Sequence, residues 1–376
     1  MGSIWEDRSF SGETALVVVG AGITGLFTAL HYLREHADHR VVVLESGPHP
    51  VGASVKNAGF ACFGSPSELL HDLDTLGETV AMQRVEERWR GLLELRQELG
   101  DEAIGFEPVG GYEVFRKDDP LYTRVAERFD LLNTALRGIV GKDVFVRADD
   151  RIPALGLSAE HLTWNALEGA VDSGMLMRAL LRKVQEAGSE VRFNAKVVSW
   201  EEDAHGVSLK LDGGAVCTAK QVVFATNGFS RHLVPGCGIL PARGQVLLTE
   251  EIPGLTLTGT FHVDEGYYYF RHYQGRVLLG GGRHLDMAGE TTDLDGTTQQ
   301  IQNALEELLR TLILPEKEFR IAQRWSGVMG FREQGGPPLV ERRSSRTVLA
   351  AGLGGIGVAV GIRVGREAAG LVARGI

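Results

Sequence analysis

Three glycines near the start of the chain have the spacing of a dinucleotide-binding turn. Gly20, Gly22 and Gly25 follow an apolar run at residues 15–19 and open an amphipathic stretch at residues 23–36. In such a turn the first glycine makes the tight bend, the second lets backbone amides approach a pyrophosphate, and the third lets the helix lie close to the strand. The pyrophosphate would then lie at the positive end of the helix.

Glu45 supplies the second part of the pattern. It ends another apolar run, at residues 41–44, and lies twenty residues after Gly25. A carboxylate there can accept hydrogen bonds from ribose hydroxyls, and it would repel the 2′-phosphate of NADP. The alternative is a tight turn whose glycines only help packing, which leaves the position of Glu45 to chance. We therefore predict a strand–helix–strand unit that binds a dinucleotide, with Ile23 and Thr24 at the start of its helix.

The composition is that of a globular enzyme with room for two domains, at 376 residues, 43% hydrophobic and 23% charged. The net charge of −10 argues against nucleic acid, since phosphate binding needs clustered lysine and arginine. Three cysteines at irregular spacing suit a reducing compartment and give no disulfide framework or metal site. The polar, acidic N-terminus is unlike a secretory signal, and the weakly polar run at residues 348–362 is too short to span a bilayer. These features predict a cytoplasmic protein with no membrane span.

The remaining elements predict an α/β fold, with a Rossmann-like domain and a second domain built on a mainly antiparallel sheet. A helix at residues 67–76, with Ser67 as its cap, precedes a long charged helix at residues 78–99. Three strands form a meander with Gly213 and Gly214 in its hairpin turn. Further helices are predicted at residues 120–136, 175–186 and 299–312, the meander strands at 196–200, 207–211 and 215–218, a strand-rich region at 244–281, and later strands at 319–329 and 346–351.

Four segments together are typical of one protein family. The first is the glycine turn with Glu45. The others read GAVD at residues 169–172 followed by AKV at 195–197, VFATNG at 223–228, and GLGGIG at 352–357. In order and spacing they resemble the FAD-dependent amino-acid and amine oxidoreductases, which include D-amino-acid oxidase, glycine oxidase and sarcosine oxidase. The resemblance covers nearly the whole chain.

The resemblance implies a non-covalent FAD and residues that would hold it. Adenine would meet the backbone of Val197, and the flavin would lie at the start of the last helix, where backbone amides stabilise negative charge. Some family members attach the flavin through a histidine at the position of Lys56, which a lysine cannot do in that way. The other candidate cofactor-binding residues are Ser46, Ser54, Lys56, Asn57, Ala58, Thr226, Asn227, Gly228, Gly327, Gly354, Gly355, Ile356 and Gly357.

The resemblance also implies a discontinuous FAD-binding domain. It would comprise residues 1–78, 150–235 and 320–376, and the substrate domain would comprise residues 79–149 and 236–319. The active site would lie between the two domains, over one face of the flavin.

For the activity, the resemblance implies dehydrogenation of a C–N bond in an amine or amino acid, with hydride transfer to flavin N5 and an imine product. The electron acceptor is oxygen or another molecule. Several family oxidases use a lysine where this chain has Leu278, which favours a dehydrogenase unless Lys56 takes over. The alternative for Lys56 is a solvated loop lysine that binds a phosphate or nothing. Two alternatives stay open. One is oxidation of a 2-hydroxy acid or of an RNA-linked amine, although the acidic charge weighs against RNA. The other is FAD binding with a structural role.

Six further residues are candidates for the substrate pocket. Amino-acid-specific members often carry an arginine where this chain has Met329, so an amine or a remote carboxylate becomes the favoured substrate. Arg332, Arg243 and Arg271 are alternative carboxylate clamps, and a structural salt-bridge role is the alternative for Arg243 and Arg271. Tyr267 and Tyr269 lie on a predicted strand with both rings on one face. Family members place tyrosines of this sheet over the flavin, and ordinary sheet packing is the alternative.

Overall fold

The computed structural model describes residues 3–5 and 13–374 of the chain. They form two compact units: the first takes the chain up to Val55, Gly174–Ala242 and Met329 onward, and the second takes Lys56–Ser173 and Arg243–Val328. Much of the N-terminal segment used to predict the localisation, residues 1–2 and 6–12, lies outside the described residues. No helix in the described part of the chain is long and apolar enough to cross a membrane.

The elements are numbered in chain order. The helices are α1 (Ile23–Glu35), α2 (Ala53–Lys56), α3 (Pro66–Leu76), α4 (Glu78–Leu99), α5 (Pro120–Val140), α6 (Ile152–Leu155), α7 (Ser173–Glu186), α8 (Gln299–Leu308) and α9 (Gly357–Ala373). The strands are β1 (Leu16–Val19), β2 (Val41–Leu44), β3 (Phe60–Ala61), β4 (Gly111–Phe115), β5 (Phe145–Arg147), β6 (His161–Asn165), β7 (Gly169–Ala170), β8 (Glu190–Arg192), β9 (Val197–Glu202), β10 (Val207–Leu211), β11 (Val216–Ala219), β12 (Gln221–Phe224), β13 (Ile239–Thr249), β14 (Thr260–Val263), β15 (Tyr268–Tyr273), β16 (Arg276–Gly281), β17 (Ile321–Arg332), β18 (Leu339–Arg342) and β19 (Thr347–Ala351).

The first unit is built on a six-stranded sheet in the order β18-β19-β12-β1-β2-β8. All its pairs are parallel except β18 with β19. Strands β1 and β2 are runs of valine and leucine in which every residue is buried, because both faces of a parallel sheet are covered. The predicted strand–helix–strand unit is confirmed. Since β1 and β2 are parallel neighbours, Gly20 and Glu45 follow them at the same edge of the sheet.

A three-stranded antiparallel sheet in the order β11-β10-β9 belongs to the same unit. Gly213 and Gly214 lie between β10 and β11 with φ of 88° and 91°. Glycine adopts such angles readily because it has no Cβ atom. The predicted meander is confirmed: β10 has the predicted bounds, and the bounds of β9 and β11 differ from the predicted ones by one or two residues.

Helices α1 and α9 pack closely against each other in the first unit. A Cβ atom on Gly361 would overlap with Ile23, and one on Gly365 would lie 2.6 Å from the Cβ of Phe27. These two glycines permit a backbone approach that larger residues would prevent. Because both contacts advance by four residues, the helices run in the same direction and begin at the same end of the unit.

The second unit is built on an eight-stranded sheet in the order β17-β13-β16-β15-β14-β4-β6-β5. Neighbouring strands from β13 to β5 are antiparallel except β14 with β4. Apolar side chains of the sheet, such as Phe261, Phe270 and Leu279, pack with Ile301 and Leu305 of α8 in a buried core cluster. A short two-stranded ribbon, β3 with β7, lies in the same unit.

The start of α3 differs from the sequence prediction. Its N-cap residue is Ser65 and its first residue is Pro66, whose fixed φ suits that position. The hydroxyl of Ser67, predicted to cap this helix, instead donates to the carboxylate of Glu113.

The position of Tyr267 also differs. Strand β15 begins at Tyr268, and the Tyr267 N–H donates to the carbonyl of Asp264 (2.9 Å) in the preceding turn. Tyr267 and Tyr269 therefore do not share a face of one strand. In a further difference, the helix predicted to reach residue 312 ends at Leu308 and continues as a π-helical turn, Leu309–Ile313.

The boundaries of the two compact units differ from those of the two domains that the sequence predicts. Residues 56–78, 150–173 and 320–328 fall in the second unit rather than with the Rossmann-like sheet, and residues 236–242 fall in the first. The first of these segments carries β3, which pairs with β7, and the second carries β6, which pairs with β4 and β5. Strand pairing therefore draws both segments into the second unit.

Candidate functional site

The glycine turn of the first unit has the shape that its spacing predicts. Gly20 has a φ of 107°, and a Cβ atom on it would lie 2.8 Å from the carbonyl oxygen of Ala225. A Cβ atom on Gly25 would overlap with the carbonyl oxygen of Gly20. Gly22 precedes the first residue of α1 with φ −74° and ψ 177°, an extended conformation that any residue adopts. Gly20 and Gly25 are thus needed for the fold of the turn, whereas Gly22 is not.

Glu45 binds the glycine turn directly. Its carboxylate accepts hydrogen bonds from the N–H of Ala21 (2.9 Å), the N–H of Gly47 (3.1 Å) and the hydroxyl of Ser46 (3.2 Å). The side chain is buried. The carboxylate therefore fixes the backbone of the turn, and its bond to a ribose stays a prediction.

The start of α1 offers polar groups to a ligand that carries oxygen atoms. The N–H of Ile23 donates to the hydroxyl of Ser54 (3.0 Å). The N-cap residue is Gly22, which has no side chain to accept from the first amides of the helix. Thr24 is 5% exposed, and its hydroxyl has no hydrogen-bond partner among the described residues. A buried hydroxyl without a partner beside the positive end of a helix fits an anionic ligand such as a pyrophosphate.

Asn227 organises the second glycine turn of the first unit. Its side-chain oxygen accepts from the N–H of Gly352 (2.9 Å) and the N–H of Leu353 (3.4 Å). The residue itself has a φ of 45°, and Gly330 leaves room for it, since a Cβ atom on Gly330 would overlap with the Asn227 side chain. The N–H of Gly354 donates to the carbonyl of Gly330 (2.8 Å). The amide of Asn227 thus sets the backbone that leads into α9.

The two glycine turns lie in one unit, at the starts of helices that run side by side. Gly354, Gly355, Ile356 and Gly357 lead into or begin α9, as Gly20, Gly22 and Gly25 do for α1. Val197 begins β9 and is buried. Two residues before it, the N–H of Ala195 donates to the carbonyl of Glu45 (2.8 Å). Thr226 shares a hydrogen bond with Ser230 (3.1 Å), and Gly228 is buried. The unit therefore brings most of the predicted cofactor-binding residues into the segments that flank α1 and α9.

Lys56 lies in the second unit and is held at two points. Its ammonium forms an ion pair with Asp295 (Nζ to Oδ1, 3.0 Å), and its carbonyl accepts from the indole N–H of Trp325 (2.9 Å). Asn57 accepts from the N–H of Gly59 (2.8 Å) and the hydroxyl of Ser173 (2.8 Å). The segment that carries these candidates is thus fixed by side chains from distant parts of the second unit.

Two of the candidate carboxylate clamps, Arg243 and Arg271, have buried protein partners. The guanidinium of Arg243 makes a bidentate bond to Glu290 (Nε to Oε2, 2.9 Å; Nη2 to Oε1, 2.8 Å). Arg271 is 3% exposed, and its Nη1 donates to the carbonyls of Gly59 (2.7 Å) and Val171 (2.9 Å). Burial lowers the pKa of Arg271. The Arg243 contact is the salt bridge of the structural alternative, whereas Arg271 is held by two backbone carbonyls rather than by an acid.

Tyr269 belongs to an aromatic cluster with Phe60, Tyr273 and Trp325, packed against Ala58 and two aliphatic residues of the sheet, Val246 and Leu278. Its ring meets Phe60 edge-on at 5.7 Å. Removal of the hydroxyl from water raises the pKa of Tyr269 to about 12, so it stays protonated at neutral pH.

Tyr267, Met329 and Gly327 are not members of this cluster. Tyr267 is 45% exposed and packs against His284, at 4.6 Å between ring centres. Met329 belongs to the first unit and is half-buried on β17, while Gly327 of the same strand is buried.

Sequence reasoning missed Asp295 and Glu290, the partners of Lys56 and Arg243. The Lys56–Asp295 pair spans 239 residues and the Arg243–Glu290 pair spans 47. Neither acid belongs to a motif, so no local pattern signals it. Only the ion pairs of the folded chain identify Asp295 and Glu290 as these partners.

Comparison with known proteins agrees with this geometry. A family model described as DAO, FAD dependent oxidoreductase, matches residues 15–371. A comparison with curated proteins gave no match.

Several solved structures share the fold. One is L-proline dehydrogenase from P. horikoshii, with 18% identity, 96% of this chain and 94% of that chain covered, and a TM-score of 0.74. Another is glycine oxidase from Geobacillus kaustophilus, with 22% identity, 96% and 95% covered, and a TM-score of 0.72. A third is iminodiacetate oxidase from Chelativorans sp. BNC1, with 19% identity, 96% and 95% covered, and a TM-score of 0.72. At these identities the likeness shows the fold alone.

Proposed function

The chain belongs to the DAO family of FAD-dependent oxidoreductases, and from this premise we propose that it dehydrogenates the C–N bond of an amine to an imine. The observation that carries the choice of substrate is that Lys56, Arg243 and Arg271 are each bound by protein groups. A carboxylate is most readily bound by a cation, and these three are already engaged by the protein. The favoured substrate is therefore a primary or secondary amine, or an amino acid whose carboxylate is remote from the reacting bond.

The first unit supplies the residues that would hold FAD. The backbone of the turn at Gly20, Gly22 and Gly25 and the Thr24 hydroxyl would bind the pyrophosphate, with Glu45 beside the ribose. Amides at the start of α9 would lie at the flavin, which supplies a two-electron acceptor when bound. Helix starts favour negative charge, which suits both the pyrophosphate and a reduced flavin.

The second unit offers an apolar surface for the substituent of the amine. The cluster of Tyr269 consists of aromatic and aliphatic side chains, and the Arg271 guanidinium lies 5.6 Å from its Tyr273 ring. At neutral pH the Tyr269 hydroxyl is a neutral hydrogen-bond donor or acceptor, because its pKa is about 12. An aryl or alkyl group that packs there would be bound by burial of apolar area. The structural neighbours named for dehydrogenating or oxidising proline, glycine and iminodiacetate make C–N chemistry the favoured reaction class.

The test is anaerobic reduction of the bound flavin by matched pairs of compounds. Phenethylamine and phenylalanine differ only in the carboxylate, as do their N-methyl derivatives. We expect the amine of at least one pair to bleach the flavin with a second-order rate constant at least about tenfold higher than its carboxylated partner, since Lys56, Arg243 and Arg271 are engaged by protein groups and do not offset desolvation of the carboxylate. Faster bleaching by both amino acids would contradict the amine assignment. Bleaching by 2-hydroxy acids alone would contradict C–N chemistry.

We also expect the flavin to be bound without a covalent bond. The residue at the attachment position is Lys56, whose ammonium is paired with Asp295 (3.0 Å). Precipitation of the protein with acid or heat should leave the yellow colour in the supernatant, where its absorbance is measured. A coloured pellet would show that another residue forms a bond to the flavin.

A further inference from the structure

A small cavity in the second unit is lined by polar side chains from three strands and the β3–β7 region. The cavity volume that the centre of a water-sized sphere can occupy is about 10 Å³, which is room for one water. The polar side chains that line it include Glu113 on β4, Thr163 and Asn165 on β6, Glu168 before β7, and His262 on β14. All five residues are buried, with exposed fractions from 1% to 8%.

Two polar groups of these side chains lack a hydrogen-bond partner among the described residues. They are the Thr163 hydroxyl and the Asn165 side-chain N–H₂, on residues that are 1% and 2% exposed. The side-chain oxygen of Asn165 accepts from the N–H of Leu167 (3.0 Å), which fixes the orientation of its amide. Buried polar groups are rarely left unpaired, so each of these atoms indicates a ligand in the cavity.

The two carboxyl groups hold the chain between β3 and α3. Glu168 accepts from the N–H of Phe63 (2.9 Å) and the N–H of Gly64 (3.3 Å). Glu113 accepts from the N–H of Ser67 (2.9 Å) and the hydroxyls of Ser65 (3.1 Å) and Ser67. Burial raises the pKa of Glu113 to about 7 and that of Glu168 to about 8. Both groups therefore carry a proton below neutral pH, and Glu168 still does at neutral pH.

The charges around the cavity favour a neutral ligand over a cation. The titratable and charged groups near the two carboxyls are Cys62, Glu68, Asp72, Arg84, Arg88 and His262. Arg88 pairs with Glu68 (2.7 Å) and Arg84 with Asp72 (2.9 Å). Burial lowers the pKa of His262 and raises that of the Cys62 thiol, so both are neutral at pH 7. Nowhere in the described chain do three or more His, Cys, Asp or Glu side chains form a group that could hold a metal ion.

We propose that this cavity is a binding site for one water molecule, which bonds the Thr163 hydroxyl and the Asn165 amide and links them to the carboxyl groups of Glu113 and Glu168. The water completes a network that runs from β6 to the segment 63–67. That segment leads into α3, so the water and the two acids together fix the chain between β3 and α3. The site is independent of the reaction proposed above.

A high-resolution crystal structure of the FAD-bound full chain tests the site. We expect one density peak within hydrogen-bond distance of the Thr163 hydroxyl and the Asn165 N–H₂. Thr163→Val removes the hydroxyl at nearly constant shape and should empty the site or strongly reduce its occupancy. Thr347→Val, at a buried threonine in the first unit, should leave the peak unchanged. An empty cavity in the unmodified protein, or a full peak in T163V, would overturn the assignment.

Crystals soaked in rubidium chloride separate water from a monovalent cation. A water site gives no anomalous signal in the cavity, whereas an anomalous peak there would overturn the proposal in favour of a cation held by ionised carboxylates.

The pH dependence of the melting temperature tests in solution whether the carboxyl groups of the cavity are neutral or are ionised around a cation. Because the folded-state pKa of Glu168 lies above its unfolded value, the folded protein holds an extra proton whose stabilisation is lost as pH rises through about 8. We expect Tm to fall between about pH 5 and about pH 9, and Glu168→Gln to flatten this fall, since the amide cannot ionise and its oxygen still accepts from Phe63 and Gly64. Glu127→Gln, at an exposed residue of α5, should leave the slope unchanged. A Tm that rises with pH and with added potassium would indicate ionised carboxylates around a cation.

Discussion

Replacing Gly22 with valine is expected to abolish FAD binding while leaving the fold intact. Gly22 has an extended backbone that valine adopts without strain, so the turn itself is not disrupted. A Cβ atom there would lie 3.1 Å from the Ser54 hydroxyl, which bonds the first N–H of α1. The branched side chain would occupy the space that backbone amides leave for a pyrophosphate. We expect FAD affinity to fall by at least about 100-fold, equivalent to roughly 2.7 kcal/mol.

The measurement is a fluorescence titration of flavin-free protein with FAD, beside the flavin-to-protein ratio after purification. Circular dichroism and thermal melting show whether the fold is kept. Gly138→Val is the matched control, because Gly138 lies on α5 in the second unit with open space around it. Stoichiometric FAD in G22V would contradict the position given to the pyrophosphate.

Replacing Arg243 with methionine is expected to destabilise the protein strongly. The Glu290 side chain is 1% exposed and that of Arg243 is 11% exposed, so the pair lies away from water. Without the guanidinium the Glu290 carboxylate keeps its bond from Gln245 (2.8 Å) but loses its counter-charge. Breaking a buried pair by removing one partner costs about 3–5 kcal/mol. Urea unfolding measures the loss as a lower midpoint.

Two variants distinguish a structural pair from a substrate clamp. Glu290→Gln combined with R243M should recover part of the lost stability, because the amide needs no counter-charge. Arg137→Met, which breaks an exposed pair with Asp143, should cost no more than about 1 kcal/mol. If R243M instead unfolds at the same urea concentration as the unmodified protein, and raises KM only for substrates with a carboxylate, Arg243 binds substrate.

The parts of the structure that sequence predicts well are those specified locally. The turn at Gly20–Gly25 and the position of Glu45 follow from residues within one strand–helix–strand unit. The meander follows from alternation and two adjacent glycines. By contrast, Asn227 was predicted to touch a cofactor, and its amide also builds the turn at Gly352 and Leu353, 125 and 126 residues away.

The chemistry of the second unit was harder to predict because it depends on which charges are already paired. The sequence shows Arg243 and Arg271 as cations, whereas the fold gives each of them buried acceptors. Tyr267 was placed on a strand because a tyrosine run has no internal marker of where a turn ends. Glu113 and Glu168 belong to no motif, and only burial reveals their altered acidity.

The pairing of α1 with α9 constrains how the chain matures during synthesis. The partner surface of α1, at Gly361 and Gly365, emerges from the ribosome more than three hundred residues after α1 itself. Contacts this distant in sequence form late and leave apolar surface open to other chains in the interval. The packing of α1 must therefore wait for the synthesis of α9, and nascent chains expose this apolar surface to chaperones until then.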